Sequence, residues 1–353
     1  MPLRVSAQVC DGEAVQQPDD GRPPTMADIA AHLGVSRQLV SLVLRDQPGA
    51  SEETRQRVRE AARELGYRPH TGARSLRRAR SFDLGVVFSP VHATEHEIIE
   101  AMYDAASAKG YHVILSALTP SRGPRQAVDE LLGHRCAAVL IIGAELSHAE
   151  LTEIVDRTPV PVVNVGDGHR NTHYDVVRSS GDRGIAQAVE HLIGLGHRRI
   201  CYLNSSSMSP APLRLEGYLR MMRAHGLEPD PVTWVGGYDE EAGAVAARGL
   251  LDRGDLPTAV VAGNDQIAFG LLQVMVRSGV RVPQRLSITG FDDIRIAHLP
   301  GVELTTVRQD PGLMGAAAVE VAIRRIESPR LSPVLRVVPT TLMLRSSTAP
   351  APA

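Results

Sequence analysis

The chain has 353 residues, 43% of them hydrophobic and 22% charged, which is the composition of a globular protein with room for two or three domains. No stretch is long and apolar enough to cross a bilayer, and residues 1–24 carry acids instead of the apolar core of a signal peptide. We therefore expect a cytoplasmic protein without a membrane partner. The cysteines Cys10, Cys136 and Cys201 lie far apart, which predicts neither a disulfide framework nor a zinc site.

The formal net charge of −2 hides an asymmetry along the chain. Residues 25–80 contain 11 Arg and 6 acids, a net charge of +5, whereas residues 81–353 contain 25 Lys and Arg against 30 acids. A small basic module attached to a larger acidic body indicates that the front of the chain meets a polyanion. The alternative is a solvated charged surface with no such partner.

The N-terminal part reads as a tail followed by three short helices. Residues 1–24 mix Pro, Gly, Gln and acids without periodicity, which predicts a disordered tail. Thr25 and Asp28 have the spacing of a capping box, and Ser36 and Ser51 stand where they can cap a second and a third helix. Two helices joined by a tight turn through Gly34, followed by a third, predict a helix-turn-helix. A helical hairpin without a DNA role is the alternative.

From Phe82 onward, short apolar strands alternate with helical segments. The first helix of this part is predicted over Glu97–Lys109. The predicted strands are Leu84–Phe88, Tyr111–Leu115, Ala137–Ile142, Val160–Val165, Ile200–Leu203, Ala259–Ala262 and Leu286–Thr289. Continuous apolar strands of this kind predict parallel sheets covered by helices on both faces, an α/β architecture. The sequence has neither G-x-G-x-x-G nor a Walker loop, so no cofactor is predicted.

Motifs in one order along residues 25–350 resemble the lac-repressor/purine-repressor (LacI/GalR) family. The resemblance rests on Thr25–Arg45, Leu65–Pro69, Ala73–Leu76, Leu195–Ile200, Arg214–Tyr218, Asn264–Ala268, Gly290–Asp293, Leu304–Val307 and Leu344–Ser347. It implies a DNA-binding headpiece, a hinge, and a two-lobed sensor similar to periplasmic sugar-binding proteins.

The same resemblance implies the domain boundaries. The headpiece is expected over residues 25–70, the hinge over 71–80 and the ligand-sensing and dimerisation domain over 81–350. Within the sensor, residues 81–178 and 311–338 form the expected first lobe, and residues 179–307 and 339–350 form the second.

In a helix-turn-helix, the N-terminal residues of the second helix enter the major groove. These residues are Ser36, Arg37, Gln38 and Ser41. Arg binds guanine and Gln binds adenine in bidentate fashion, and the resemblance places Arg37 and Gln38 at base-reading positions. The alternative for Arg37 is a phosphate contact. Leu42 stands where the family often has Arg, so an apolar contact with a thymine methyl is open there.

Arg74 and Leu76 match the hinge helix of the family. The resemblance implies that Leu76 is a wedge in a central minor-groove base step, which unstacks the step and bends the DNA. A helix this short is marginal alone, so we expect it to form on the operator. The alternative for Leu76 is an ordinary linker residue that packs on the sensor.

Four residues are implied as ligand contacts in a cleft between the lobes. Arg214 matches an arginine that grips hydroxyls or a carboxylate, Asp292 an acid that accepts from hydroxyls, Tyr238 an aromatic contact, and Asn264 a loop residue in the same cleft. Three of these residues have a purely structural alternative. Asp292 and Asn264 could cap helices, and Tyr238 could lie on the rim.

Two departures from the family pattern concern the ligand. Ser180-Gly181 stands where the family usually has Asp-Asn, and Gly166 replaces an acid of some sugar-binding members. Both indicate an altered effector or an altered lobe interface. The pairs His92/His96 and His169/His173 have the i, i+4 spacing of metal sites, but no Cys or acidic pattern accompanies them, and no metal is predicted.

The sequence thus predicts a transcriptional regulator, a repressor, that binds double-stranded operator DNA and a small effector, a sugar or related polar metabolite. Residues 348–353 show no heptads of a tetramer-forming coiled coil, so a homodimer is expected. A tetramer is the alternative. A solute-binding protein that uses only the two-lobed part is the main alternative. An enzyme on an α/β scaffold is another, although no G-x-S-x-G elbow or metal cluster supports it.

Overall fold

The computed structural model describes residues 22–67, 81–143, 146–166, 171, 173–205, 211–234 and 237–352. The chain divides into two compact units, residues 1–79 and residues 80–353. The expected tail, apart from residues 22–24, and the whole of the expected hinge lie outside the described residues.

The first unit is a three-helix headpiece, with helices α1 (Met26–Leu33), α2 (Arg37–Val43) and α3 (Glu52–Glu64). Its small core is built from the side chains Ile29, Ala30, Val40, Val43, Val58, Ala61 and Ala62. These residues recur at helical spacing, so each helix presents one apolar stripe to the other two. The opposite faces carry the polar and charged residues of the unit.

The helix ends of the headpiece confirm the cap predictions. The Thr25 hydroxyl accepts a hydrogen bond from the Ala27 N–H, and Asp28 accepts from the Thr25 N–H at 2.7 Å, which forms a capping box. Ser36 and Ser51 each cap the helix that follows them. Short-range capping therefore fixes where all three helices begin.

The second unit contains two six-stranded sheets, each with helices on both faces. The first has the order β11-β5-β4-β3-β1-β2 and is entirely parallel. Its strands are β1 (Asp83–Phe88), β2 (His112–Ala117), β3 (Ala138–Ile142), β4 (Val162–Val165), β5 (Asp175–Ser179) and β11 (Leu335–Val338). Its helices are α4 (Ala93–Ala108), α5 (Pro124–Gly133), α6 (His148–Arg157) and α11 (Pro311–Glu327). This sheet with its helices is the first lobe.

The second sheet has the order β12-β10-β9-β8-β6-β7 and forms the second lobe. Its strands are β6 (Ile200–Ser205), β7 (Asp230–Trp234), β8 (Ala259–Ala262), β9 (Ser287–Asp292), β10 (Thr305–Gln309) and β12 (Thr340–Met343). Its helices are α7 (Gly181–Gly194), α8 (Ala211–Ala224), α9 (Glu240–Asp252) and α10 (Asp265–Arg277). The edge strand β12 runs antiparallel to β10, unlike the parallel strands that were predicted. It begins two residues after β11 ends, at the crossing between the lobes, so its first residue Thr340 pairs with Gln309, the last residue of β10, and it runs the opposite way.

Helix α4 begins four residues before its predicted start, at Ala93 instead of Glu97. The prediction followed the apolar periodicity, which begins at Ile98. The first turn is polar and carries Thr94 and Glu95, so the pattern missed it. This additional turn places two polar side chains at the N-terminal end of α4, close after β1.

The chain passes from one lobe to the other after β5, after β10 and between β11 and β12. Ser180 connects two of these crossings, because its hydroxyl lies 3.1 Å from the Thr340 hydroxyl and its N–H donates to the Val338 carbonyl at 2.8 Å. The Ser180-Gly181 departure noted above therefore lies at the crossing itself, where Gly181 packs against the Arg214 side chain. Among the helices that the structure describes, none is long and apolar enough to cross a membrane.

Candidate DNA-binding surface and effector site

The second helix of the headpiece presents its N-terminal side chains to solvent. Ser36 is its cap, since the Ser36 hydroxyl accepts the Leu39 N–H at 3.2 Å. Arg37 and Gln38 follow in the first turn and are exposed. Ser41, one turn later, accepts a hydrogen bond from the Arg45 guanidinium. An exposed Arg and Gln at a helix N-terminus have the donor and acceptor groups for base edges, while Ser36 is a structural cap.

Two further predictions for DNA contact have different outcomes. Leu42 is half-buried and packs against the headpiece core, so most of its side chain is used inside the unit. A contact between Leu42 and a thymine methyl would use only its remaining exposed part. Arg74 and Leu76 lie outside the described residues, and their predicted roles stay predictions.

In the sensor, Arg214 is the most engaged of the predicted ligand residues. It lies on α8, and only 4% of its surface is exposed. Its guanidinium stacks on the Phe291 ring, with Cζ 3.7 Å from the ring centroid, and Nη1 donates to the Gly263 carbonyl at 2.7 Å. Nη2 lies 3.7 Å from Asp292 Oδ1. Ring stacking and two anionic or polar partners thus hold a buried cation in one orientation.

Asp292 ends β9 and faces the first lobe. The Gln309 amide donates to its Oδ1 at 2.6 Å, and the Thr94 hydroxyl of α4, in the first lobe, lies near enough to lower its pKa. Burial raises the pKa of Asp292, while Arg214, Gln309 and Thr94 lower it in part. Asp292 has φ = 111° and Asp293 has φ = 61°, which is left-handed backbone that a non-glycine residue rarely adopts. Strain of this kind is concentrated at functional sites.

Tyr238 and Asn264 form the wall behind Arg214. Tyr238 is 7% exposed, so it is buried and does not lie on the rim, and its hydroxyl donates to the same Gly263 carbonyl at 3.1 Å. Asn264 is the N-cap of α10: its Oδ1 accepts the Ile267 N–H and its amide donates to the Tyr238 carbonyl, both at 2.8 Å. The capping alternative therefore describes the side chain of Asn264. By contrast, Asp292 caps no helix, since the 3₁₀ turn after it has Ile294 as its N-cap.

Glu95 is the residue at this site that the sequence analysis missed. It is 5% exposed, and its Oε2 accepts the Ser89 N–H at 2.8 Å. Its carboxyl lies directly over Gly143, where any Cβ would overlap Oε1. Burial, and to a smaller degree the charge of Asp292, raises the pKa of Glu95 to about 8. A sequence signal existed, because Glu95 precedes Ile98, Ile99 and Met102 at helical spacing and is thus a carboxyl on a buried stripe.

A second buried acid supports the loop that carries Asp292. Asp265 is fully buried and accepts hydrogen bonds from the Thr306 hydroxyl and from the Ile294 N–H. Burial, together with Asp292, raises its pKa well above the ordinary range. Gly290 is required beside it, since a Cβ there would overlap the carboxylate. Asp265 therefore holds β9 and the following turn in place.

The two histidine pairs with metal-site spacing lie only partly in the described part of the chain. His169 is outside the described residues, and His96 is exposed on α4. No group of three or more His, Cys, Asp or Glu side chains that could hold a metal ion occurs among the described residues. His173 instead makes a ring contact with His148. The Nδ1 atom of His148 is hydrogen-bonded to the Tyr174 hydroxyl at 2.7 Å.

Two family models match the chain. The model for bacterial regulatory proteins of the lacI family matches residues 25–70, and that for a periplasmic binding protein-like domain matches residues 189–348. Among curated relatives, the HTH-type transcriptional regulator GalR of Escherichia coli strain K12 is 32% identical over 92% of this chain and 95% of its own length. The ribose operon repressor of the same strain is 31% identical, over 92% of this chain and 99% of its own length.

Solved structures agree in fold over nearly the whole chain. The lac repressor dimer bound to operator and the anti-inducer ONPF has a TM-score of 0.82 at 28% identity, with 93% of this chain and all of that chain covered. A complex of the transcriptional regulator CelR with cellobiose has a TM-score of 0.68 at 29% identity, with 92% and 99% covered. With the helix-turn-helix in front of the two-lobed unit, the chain belongs to the lacI family of bacterial regulatory proteins and is a DNA-binding transcriptional regulator.

Proposed function

We propose that this regulator is a repressor whose affinity for its operator is controlled by a small effector, a sugar or related polar metabolite, bound between the two lobes. It acts as a regulator and not as an enzyme, and a homodimer is its functional unit. The observation that carries the proposal is the group Arg214, Asp292 and Thr94. It brings a buried, oriented cation and an acid of the second lobe near a hydroxyl of the first lobe.

The position of this group supports ligand binding. Asp292 ends β9, and Thr94 follows the carboxyl end of β1, so both stand beyond the carboxyl ends of parallel strands. Ligands of open α/β sheets bind in crevices at that edge. A planar guanidinium and a carboxylate supply the fixed donors and acceptors that hydroxyl-bearing ligands need. The relative named ribose operon repressor and the CelR structure solved with cellobiose support the choice of a sugar.

For the DNA surface, we propose that Arg37 and Gln38 read base edges. Ser36 and Ser41, near the start of α2, contact the sugar-phosphate backbone of the DNA. Exposure of Arg37 and Gln38 at the helix N-terminus supports this assignment. Arg74 and Leu76 are proposed to act in the hinge, where Leu76 enters the minor groove. The lac repressor structure bound to operator supports operator binding by the dimer.

Within the effector site, we propose that Arg214 and Asp292 contact the ligand directly. Tyr238 and Asn264 act behind them, because both side chains already bond to the protein. This division gives each pair a different mutational signature: loss of ligand affinity for the first pair, and loss of stability for the second.

The test begins with selection of an operator from randomised duplex DNA by the full-length chain. Operator affinity is then measured in rising salt, with and without a panel of neutral mono- and disaccharides that includes ribose and cellobiose. We expect a steep fall of affinity with salt, as for any protein that neutralises phosphates, and a sugar that changes the affinity. Absence of selected DNA, together with sugar binding, would instead support the solute-binding alternative.

A further inference from the structure

Glu95 of the first lobe and Asp292 of the second lobe are two acids at the strand ends where the lobes meet, and the charge of Asp292 raises the pKa of Glu95. Ser89 and Gly143, which hold the Glu95 carboxyl, directly follow the ends of β1 and β3, and Asp292 ends β9. Both carboxyls therefore stand at the carboxyl ends of parallel strands, the edge at which open α/β sheets bind ligands. Glu95 thus occupies the same crevice as Arg214 and Asp292, but enters it from the opposite lobe.

The surroundings of Glu95 favour its neutral form. Its carboxyl accepts the Ser89 N–H just after β1 and packs against the uncharged Gly143 just after β3. Of the described charged groups, the one that acts on it is Asp292, while Arg214 and His92 act on Asp292. A carboxyl that is desolvated and lies near another acid keeps its proton, and the pKa of about 8 agrees with this. With Oε2 accepting from Ser89, the proton belongs on Oε1.

We propose that Glu95 is an effector-binding residue of the first lobe and acts as a neutral carboxylic acid that donates a hydrogen bond to an oxygen of an uncharged ligand. Asp292 accepts from ligand hydroxyls on the other side, so the two acids have complementary roles. Effector binding is then linked to the proton of Glu95. This inference rests on the proposed function, because it requires an effector between the lobes.

The sign of the linkage follows from the raised pKa. Below about pH 8 Glu95 is protonated before the ligand binds, so the affinity for a neutral ligand does not change with pH in that range. Above about pH 8 the ligand must first bring back the proton, and affinity falls about tenfold for each pH unit. By reciprocity, the bound ligand raises the pKa of Glu95 further.

The variants Glu95→Gln and Glu95→Ala separate the parts of this proposal. A glutamine keeps the shape, accepts from Ser89, donates with its amide, and never ionises. We therefore expect Glu95→Gln to bind sugar as the wild type does at pH 7 and to keep that affinity at pH 9.5, where the wild type has lost more than tenfold. Glu95→Ala, which has no donor, should lose at least tenfold at pH 7. Glu97→Gln, an exposed neighbour on the same helix, is the matched control.

The measurement is calorimetric titration of the full chain between pH 6 and 9.5 with ribose, cellobiose and the other neutral sugars of the panel. The role of Glu95 would be overturned if sugar affinity fell equally with rising pH in the wild type and in Glu95→Gln, or if Glu95→Ala bound sugar as the wild type does. Neither result would contradict the effector site itself. Absence of binding by the wild type to every sugar at pH 7 would overturn the proposed sugar effector and this inference with it. Thermal unfolding of each variant checks that it is folded.

Discussion

The headpiece and the effector site of the sensor use polar side chains in opposite ways. In the headpiece, Arg37 and Gln38 are exposed, and the local caps Thr25, Ser36 and Ser51 fix the helices that carry them. In the sensor, the polar groups of the site are largely buried, and residues far apart in sequence hold them. A surface that meets hydrated DNA needs accessible donors, whereas a site for a small ligand needs donors that are already oriented.

The difference has consequences for mutation. Removal of an exposed headpiece side chain costs a contact with DNA and little else, because water replaces it in the free protein. Removal of a buried polar side chain in the sensor also leaves its former partners unsatisfied. Side-chain substitutions to alanine should therefore have different effects in the two units. In the headpiece they should lower DNA affinity, and in the sensor they should lower ligand response and stability.

The largest effect is expected for Arg214→Ala. Loss of a charge-assisted contact of about 1.5–3 kcal/mol should weaken effector binding about ten- to a hundred-fold. Operator affinity without effector should barely change, since the substitution lies outside the headpiece. Operator affinity of wild type and variant across a titration of the sugar found in the screen measures this. Because coupling is reciprocal, operator DNA should likewise have less effect on the remaining sugar affinity.

The control for this variant is Arg220→Ala, on the same helix, where the arginine is exposed and pairs with Asp182. It should keep the wild-type response to sugar. If Arg214→Ala still responds at the wild-type sugar concentration, Arg214 is not a ligand contact and only supports β9 through Phe291.

The second prediction concerns Arg37→Ala in the headpiece. If Arg37 reads a guanine, the variant should lose about 1–3 kcal/mol on the selected operator and relax its preference at one symmetric base position. Binding to variants of the operator with single base changes measures both effects. Arg57→Ala, at an exposed position on α3, is the control for charge alone. Equal weakening of Arg37→Ala on all sequences would show that Arg37 contacts phosphate instead.

How much of each region could be predicted follows from how local its interactions are. The capping box of Thr25 and Asp28 spans four residues, so both partners are visible together in the sequence. The alternation of strands and helices is likewise local, and it predicted the α/β layers of the sensor. Strand β12 was the exception, since its antiparallel direction depends on where the chain crosses between the lobes after Val338.

The effector site could be predicted only through family resemblance, because its contacts are not local. Thr94 and Asp292 come close to each other from distant points of the chain, and no spacing rule connects them. Glu95 carried a signal as a carboxyl on an apolar stripe, but its position in the first turn placed it before the predicted helix. Asn264 shows the opposite limit: its motif was visible, yet only the structure shows that its side chain is used as a cap.

A third and smaller effect is expected for the predicted wedge of the hinge. Leu76→Ala should reduce the bend of the operator and the specific affinity, because the alanine side chain is too short to hold a base step open. The net loss is limited, since the variant also avoids the cost of unstacking. Electrophoretic phasing of the operator measures the bend, and calorimetry with sugar should show unchanged ligand affinity. An unaltered bend angle removes Leu76 from the minor groove.

The smallest effect is expected for Thr25→Ala, which tests how far the headpiece helices depend on local capping. The alanine cannot accept the Ala27 N–H, and Asp28 loses its bond to the Thr25 hydroxyl, so the first helix should lose about 1 kcal/mol of stability. Thr25→Ser keeps the hydroxyl and is the matched control. Because residues 25–64 contain their own core, the loss should appear as faster amide exchange in α1 to α3, with exchange in the β-strands unchanged. Equal acceleration in both units would mean that they unfold together, and the contrast between local and distant support would then not hold for stability.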